Sequence, residues 1–289
     1  MKRAVGRMGL KQRIGSWLRA ANYGHRLTRY VETAAQARRW ERPPTLLASC
    51  PGSRVLVVAP HMDDETVGCG GTVRKMVLEG KEVSVLFMTD GRRGDRDLER
   101  LVGEPRAARE RALVAIRKQE AAEACRTLGI RGTYFLDQED ACLASTEALR
   151  ASVSDILTRV GADVVMMPFF TDQHHDHQVT AQIVAEVCEA QRWDGLCLAY
   201  EVWTPLYPNA VVDISDTVAD KRAALSAYRS QLKDNDFMAS VLGLNAYRHM
   251  VLGGSGFAEA FWMGTGQEYC RLHAWYRGVK RRHDDPAHP

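Results

Sequence analysis

The fold is decided by residues 54–72, Arg-Val-Leu-Val-Val-Ala-Pro-His-Met-Asp-Asp-Glu-Thr-Val-Gly-Cys-Gly-Gly-Thr. The unbroken aliphatic run Val55–Val58 is typical of a parallel strand that is buried on both faces. Pro60 ends this strand, because proline has no backbone N–H to donate to a neighbouring strand. A glycine-rich segment with apolar periodicity follows and predicts a helix over about 66–79. The stretch therefore predicts the first strand and first helix of an open α/β sheet.

Four residues that titrate or bind metal follow this strand directly: His61, Asp63, Asp64 and Glu65. Ligand sites of open α/β sheets lie at the carboxyl ends of the strands. A glycine-rich turn with an acidic helix start would explain a single carboxylate there. Adjacent carboxylates, however, repel each other unless a cation or a proton compensates them. The cluster therefore favours a functional site.

Strands alternate with helices along the rest of the chain. Further strands are predicted at 83–88, 132–136, 163–167, 196–203 and 211–214, the last of them at a sheet edge. Helices are predicted at about 106–128, 146–159 and 216–232, with one more that includes Val179 and Cys188, and the end of the chain is less regular. This alternation predicts a Rossmann-like α/β fold, a mainly parallel sheet with helices on both faces.

A second polar cluster follows the strand predicted at 163–167. Its His174 and His177 are three positions apart, as are His61 and Asp64. Each pair can face one point if the turn begins a helix. Two histidines and a carboxylate around an open position are the usual composition of a catalytic zinc site. A solvated helix N-terminus would explain the second cluster alone, but not why both clusters follow strands.

The charge is unevenly distributed along the chain. Residues 1–42 contain eleven Lys or Arg and two Glu, a formal charge of +9, whereas the remainder carries −6. Apolar positions at Leu10, Ile14, Trp17 and Leu18 predict a basic amphipathic helix in this segment. Such a helix can lie on an anionic membrane surface or pack on the domain, and the sequence favours packing. Nucleic-acid binding is not expected, because the remainder is acidic.

The composition also indicates the cellular compartment and the domain organisation. No run of eighteen apolar residues predicts a membrane span. Seven cysteines without a Cys-x-x-Cys pair favour buried thiols in a reducing compartment. We therefore expect a cytoplasmic protein, with peripheral contact at the inner membrane face as an alternative. The predicted organisation is a basic, partly helical extension (1–50), a main domain (51–275) and a charged tail (276–289).

The paired motifs resemble those of a known family. Pro60-His-Met-Asp-Asp-Glu65 after the first strand, with His174-His-Asp-His177 after a later one, resembles the PIG-L/LmbE-like metal-dependent de-N-acetylases. This family removes the acetyl group from N-acetylglucosaminyl compounds. The resemblance covers roughly residues 53–265, and Thr89-Asp-Gly91 and Arg117-x-x-Glu120 also fit it.

Three positions depart from the family pattern. Met62 and His175 stand where the family commonly has proline, and Tyr228 stands where it often has histidine. We expect His175 to be solvated, and no family role is transferred to Tyr228. Glu65 can be an outer partner of the metal site, or a helix-start carboxylate that faces the helix dipole.

The resemblance implies roles for six residues. The implied metal ligands are His61, Asp64 and His177, with Zn²⁺ as the metal and Fe²⁺ or another divalent ion as the alternative. Asp63 would be the general base, His174 would stabilise or protonate the reacting group, and Asp176 would orient His174.

The predicted function is that of a zinc-dependent hydrolase, which removes the N-acetyl group from an N-acetylglucosamine-type amino sugar through metal-activated water. The substrate can be free or linked to a lipid or polymer, and the sequence does not predict an oligomeric state. The candidate substrate-binding residues are Arg92, Arg93, Tyr200, Glu201 and Trp203, for which surface charge or core packing are the alternatives. The alternative functions are a zinc amidase for another amide, such as a thiol conjugate, and a non-catalytic Rossmann-like binding module.

Overall fold

The computed structural model describes residues 43–233 and 237–284. Its strands are β1 (Thr45–Leu47), β2 (Arg54–Ala59), β3 (Glu82–Thr89), β4 (Gly132–Gln138), β5 (Val164–Pro168), β6 (Leu196–Tyr200), β7 (Ala210–Asp213) and β8 (Ala258–Thr265). Its helices are α1 (Asp64–Leu78), α2 (Gly103–Leu128), α3 (Glu147–Val160), α4 (His175–Gln191), α5 (Val218–Ala227), α6 (Arg229–Leu232), α7 (Phe237–Met250) and α8 (Gly266–Asp284). A 3₁₀ helix spans Arg96–Arg100.

The strands form one sheet in the order β1-β7-β8-β6-β5-β2-β3-β4. Among the strands of residues 43–233 and 237–284, only β8 runs antiparallel to its neighbours, β6 and β7. The predicted Rossmann-like, mainly parallel α/β fold is confirmed. The aliphatic run in β2 is buried because both faces of the sheet are covered. Val55 and Val57 belong to one core cluster, whereas Leu56 and Val58 belong to the cluster on the opposite face.

Two differences between the predicted elements and the structure concern the edge of the sheet and the end of the chain. β7 was expected at a sheet edge, but it lies between β1 and β8, and the three-residue β1 is outermost. The end of the chain was expected to be less regular, yet it forms α7, β8 and α8. Residues of β8 form a strand because β6 and β7 both supply hydrogen-bonding partners, which the sequence of β8 alone does not reveal.

The predicted domain limits at residues 51 and 275 stay predictions. The sheet itself reaches back to Thr45, and α8 continues beyond residue 276. The basic amphipathic helix predicted within 1–42 lies outside the described residues. Within the part of the chain that the structure describes, no helix has the length and apolar character needed to cross a membrane.

A buried ion pair supports the helix that carries the site. Helix α1 is kinked near its middle, and the backbone N–H groups of Gly71 and Thr72 donate to the Glu259 carboxylate at 3.0 and 2.8 Å. Lys221 Nζ donates to the Val67 carbonyl at 2.8 Å and to Glu259 Oε1 at 2.6 Å. An unsatisfied buried backbone group costs about 1–3 kcal/mol. The pair therefore satisfies polar groups that the kink leaves without helical partners.

Candidate metal centre and catalytic cleft

The two polar clusters meet because the strands that precede them are neighbours. β2 and β5 pair in parallel, so their carboxyl ends lie at the same edge of the sheet. The turn after β2 enters α1 at Asp64, and the turn after β5 enters α4 at His175. The two clusters therefore lie together at one edge of the sheet.

Three donor atoms, one each from His61, Asp64 and His177, form a nearly equilateral triangle. Asp64 Oδ2 lies 3.2 Å from His61 Nδ1 and 3.2 Å from His177 Nε2. The two imidazole nitrogens are 3.3 Å apart. Zinc bonds of about 2.0–2.1 Å in tetrahedral geometry place ligand atoms about 3.3 Å from each other. The triangle therefore fits one face of a tetrahedral metal site whose fourth position is open.

The second nitrogen of each histidine faces a carboxylate. His61 Nε2 lies 3.2 Å from Asp176 Oδ2 and 3.3 Å from Asp140 Oδ1. His177 Nδ1 lies 3.5 Å from Asp172 Oδ2 and, among the described residues, has no hydrogen-bond partner. Metal-binding histidines usually have such a partner behind them, which sets the ring orientation. The surroundings of both rings therefore fit a metal site.

The charges around the triangle favour a cation. Burial would raise the pKa of Asp64, but His177 and His61 hold it well below its ordinary value. Burial would lower the pKa of His177, but the Asp64 and Asp172 carboxylates raise it to about 9. His61 likewise lowers the pKa of Asp140 to about 2, against the effect of burial. The carboxylates are thus anionic, and the imidazoles lie in surroundings that stabilise positive charge.

Asp63 lies beside the triangle in a strained backbone conformation. Its φ is 137°, a region that residues other than glycine rarely adopt. Arg117 Nη2 lies 3.2 Å from Asp63 Oδ2, and the backbone N–H of Asp63 donates to Glu65 Oε2 at 3.1 Å. Burial raises the pKa of Asp63 to about 7, although Arg117 opposes the rise. A carboxylate of this kind is suited to accept a proton near neutral pH.

Glu65 lies in the first turn of α1 and is a buried support for the backbone of Asp63. Its side chain is completely buried, and its Oε1 accepts hydrogen bonds from Thr66 and Tyr228. Tyr228 is also completely buried, so it cannot contact a substrate in the way a cleft histidine could. Its hydroxyl contacts the site through Glu65.

His174 ends the turn before α4 and is half-buried. Its Nδ1 accepts a 3.2 Å hydrogen bond from the backbone N–H of Asp176, so the neutral ring carries its hydrogen on Nε2. Burial, together with the nearby His61 and His177, lowers the pKa of His174. The structure therefore favours a neutral His174 that donates a hydrogen bond, rather than the protonated form.

The expected role of the Asp176 side chain is wrong. We expected its carboxylate to orient His174, but that carboxylate accepts hydrogen bonds from the backbone N–H groups of Ala141 at 2.7 Å and Leu143 at 3.2 Å. It also faces His61 Nε2. The carboxylate points towards the loop after β4, and only the backbone of Asp176 holds His174.

His61 lines the catalytic cleft, a cavity of about 220 Å³, together with several other polar residues of the site. Its polar wall includes Asp63, Asp64, His174, Arg93, Arg117, Asp140 and Gln231. Of the candidate substrate-binding residues, Arg93 and Trp203 line the cleft. Trp203 is 53% exposed, and the Arg93 guanidinium pairs with Glu139 at 2.7 Å.

The other three candidates have structural partners. Tyr200 is completely buried and donates a hydrogen bond to the Val58 carbonyl, so its predicted stacking on a sugar is wrong. Glu201 is buried in an ion pair with Arg248. The guanidinium of Arg92 pairs with Asp90.

Sequence reasoning missed two carboxylates of the site, Asp140 and Asp172. Both follow strands, β4 and β5, at the same edge of the sheet as the recognised clusters. Their position directly after a predicted strand was the sequence signal that could have identified them as site residues. Gln231 comes from the short helix α6 and carries no such signal.

Comparison with known proteins agrees with this geometry. A family model described as PIG-L, GlcNAc-PI de-N-acetylase, matches residues 56–188. The diacetylchitobiose deacetylase of Thermococcus kodakarensis is 28% identical over 198 residues, which cover 63% of this chain and 71% of that protein. A probable N-acetyl-α-D-glucosaminyl L-malate deacetylase of Bacillus cereus is 27% identical over 188 residues, which cover 61% of this chain and 83% of that protein.

Solved structures extend the likeness to the fold. The N,N′-diacetylchitobiose deacetylase of Pyrococcus horikoshii superposes with a TM-score of 0.66 at 27% identity, covering 75% of this chain and 86% of that one. The GalB hydratase of Pseudomonas putida, at 20% identity and a TM-score of 0.62, shares the fold. These similarities support a PIG-L/LmbE-like N-acetylglucosamine deacetylase, and they confirm the hydrolase class that the motifs predict.

Proposed function

We propose that the protein removes the acetyl group from an N-acetylglucosamine-type amino sugar in a glycan or glycoconjugate, with the help of a divalent metal. The observation that carries the proposal is the triangle of His61, Asp64 and His177 beside the buried carboxyl of Asp63. The similarity to deacetylases of diacetylchitobiose and of a glucosaminyl malate supports the substrate class.

The triangle supplies two imidazole nitrogens and one carboxylate oxygen, a donor set that suits Zn²⁺ and Fe²⁺. When bound, such an ion polarises the acetamide carbonyl and lowers the pKa of a water molecule to about 7. The carboxylates Asp140, Asp172 and Asp176 would hold the two histidines in their binding orientation.

Asp63 takes the proton from the attacking water and returns it to the nitrogen of the amino sugar as the C–N bond breaks. Water and the acetamide thereby give acetate and a free amine. Arg117 holds the carboxylate, and Glu65 holds the backbone, so the base does not reorganise during the reaction. General acid–base catalysis by such a group contributes about 10²–10⁴ in rate.

His174 donates its Nε2 hydrogen to the carbonyl oxygen, on which negative charge develops in the transition state. Loss of one such donor typically costs about 10²–10³ in rate. Arg93, Asp140 and Gln231 line the cleft, and their polar side chains would bind sugar hydroxyl groups. Trp203 can pack against the apolar face of the ring.

The test is acetate release from a panel of N-acetylglucosaminyl compounds by metal-loaded protein, with Asp63→Asn beside it. We expect acetate from at least one compound with the wild-type protein, and a loss of at least about 10²-fold in the variant. One bound metal per chain without acetate from any compound would contradict the proposed reaction.

A further inference from the structure

A second and larger cavity, which we call the apolar cavity, adjoins the catalytic cleft. Its volume is about 500 Å³, against about 220 Å³ for the cleft. It is lined by apolar side chains that include Val67, Val202, Trp203, Phe237, Val241 and Leu244. Three of these, Val202, Trp203 and Phe237, also line the cleft. The two cavities therefore share a wall.

The charge inside the apolar cavity is largely compensated. Glu201 lines it, but this carboxylate pairs with Arg248, whose Nε donates to Oε1 at 2.8 Å. The same carboxylate accepts a hydrogen bond from the backbone N–H of Leu206. The exposed Arg96 is a second charged lining residue. Ser240 and Asn245 are further polar lining residues. Most of the lining side chains are nevertheless apolar, which favours apolar groups.

One carboxylate fixes the shared wall to the metal centre. Asp172 Oδ2 accepts a hydrogen bond from the backbone N–H of Trp203 at 2.9 Å and lies 3.5 Å from His177 Nδ1. Asp172 Oδ1 accepts from the backbone N–H of His174 at 2.9 Å. A group bound against Trp203 would therefore be held at a fixed distance from the reacting atoms, which is the condition for productive orientation.

We propose that the apolar cavity binds an apolar chain that the amino sugar carries at its anomeric carbon. This assignment rests on the proposed function. The acyl group removed is acetyl, whose single methyl group needs only a small part of this volume. The sugar hydroxyls match the polar wall of the cleft. A cavity of several hundred Å³ is the size that binds drug-sized apolar ligands, so the remaining occupant is the aglycone.

The test measures kcat/KM for methyl, butyl and hexyl N-acetylglucosaminides, below their micelle concentrations. We expect kcat/KM to rise by up to about fourfold for each added methylene group. In Leu244→Gln, the ratio of hexyl to methyl kcat/KM should fall towards one. Met250→Gln is the matched control, because Met250 is an exposed apolar residue on the same helix, and it should keep the wild-type ratio.

Binding is measured separately from turnover. The metal-loaded Asp63→Asn variant is titrated calorimetrically with the same glycosides and with hexyl glucoside, which lacks the acetamide. Tighter binding of the hexyl than of the methyl compounds would support binding of an apolar chain in the apolar cavity, whether or not any glycoside is deacetylated. Absence of deacetylation would contradict only the proposed function. Acetate release with equal kcat/KM across the series would overturn the cavity assignment and leave the function intact. A Leu244-dependent preference for N-butyryl over N-acetyl sugars would also overturn it, since the cavity would then hold the acyl chain.

Discussion

The Tyr228 hydroxyl donates a 2.6 Å hydrogen bond to Glu65 Oε1, and both side chains are completely buried. The other oxygen of that carboxylate accepts a 3.1 Å hydrogen bond from the backbone N–H of Asp63. A chain of two hydrogen bonds thus connects helix α5's end to the strained backbone at Asp63. Tyr228 is therefore a positioning residue.

Tyr228→Phe should lower kcat by about 10–100-fold while the protein still binds one metal per chain. The variant removes the donor to Glu65, so the carboxylate can turn away from Asp63. Turnover and metal content are measured together. Tyr269→Phe is the control, because Tyr269 is equally buried and its hydroxyl has no hydrogen-bond partner within residues 43–233 and 237–284. Equal losses in the two variants would contradict the positioning role.

His177→Ala and Asp64→Ala should each abolish stoichiometric metal binding, because each removes one corner of the triangle. Asp63→Asn should keep the metal and lose turnover. His175→Gln is the neighbouring control: its Nε2 faces the Leu143 carbonyl at 3.0 Å, outside the triangle. Metal content after dialysis is measured by elemental analysis. Full metal retention in His177→Ala would exclude the proposed ligand set.

Lys221→Met should reduce the free energy of unfolding by about 3–5 kcal/mol, since it leaves Glu259 buried without its cation. Urea unfolding measures the change. Lys118→Met provides the comparison, because the Lys118–Asp137 pair is partly exposed at 34% and 51% and such pairs contribute about 0–1 kcal/mol. A similar small effect for both variants would show that the pair does not support the kink in α1.

His273 should make stability depend on pH between about 6.5 and 4. Burial, with Arg277 nearby, lowers its pKa from 6.5 to about 4. As the pH falls, His273 is protonated in the unfolded chain before it is protonated in the folded protein. The contribution of neutral, buried His273 to the free energy of unfolding is therefore complete above pH 6.5 and is lost towards pH 4. The loss from this group is roughly 3 kcal/mol. Urea unfolding at pH 7 and pH 4.5 should show that the free energy of unfolding falls less in His273→Phe than in the wild type. An equal fall in the two proteins would contradict the role of His273.

The sequence by itself determined the sheet type and the two polar clusters that follow β2 and β5. Val55–Val58 can be buried on both faces only in a sheet covered by helices. His61, Asp64 and His177 were implied as ligands by the family resemblance, and their positions after two strands agree with it, because residues after parallel strands share one edge of the sheet. These are local signals: a run of aliphatic residues, a proline and a short spacing.

Only the tertiary structure decided what surrounds that triangle. Arg117 reaches the site from α2, and Tyr228 reaches it from the junction between α5 and α6. Tyr200 and the Asp176 carboxylate have other partners than the sequence predicted. The physical reason is that these contacts join residues far apart along the chain. They depend on how helices pack against the sheet and where each side chain finds a hydrogen-bond partner, and neither leaves a periodic pattern in the sequence.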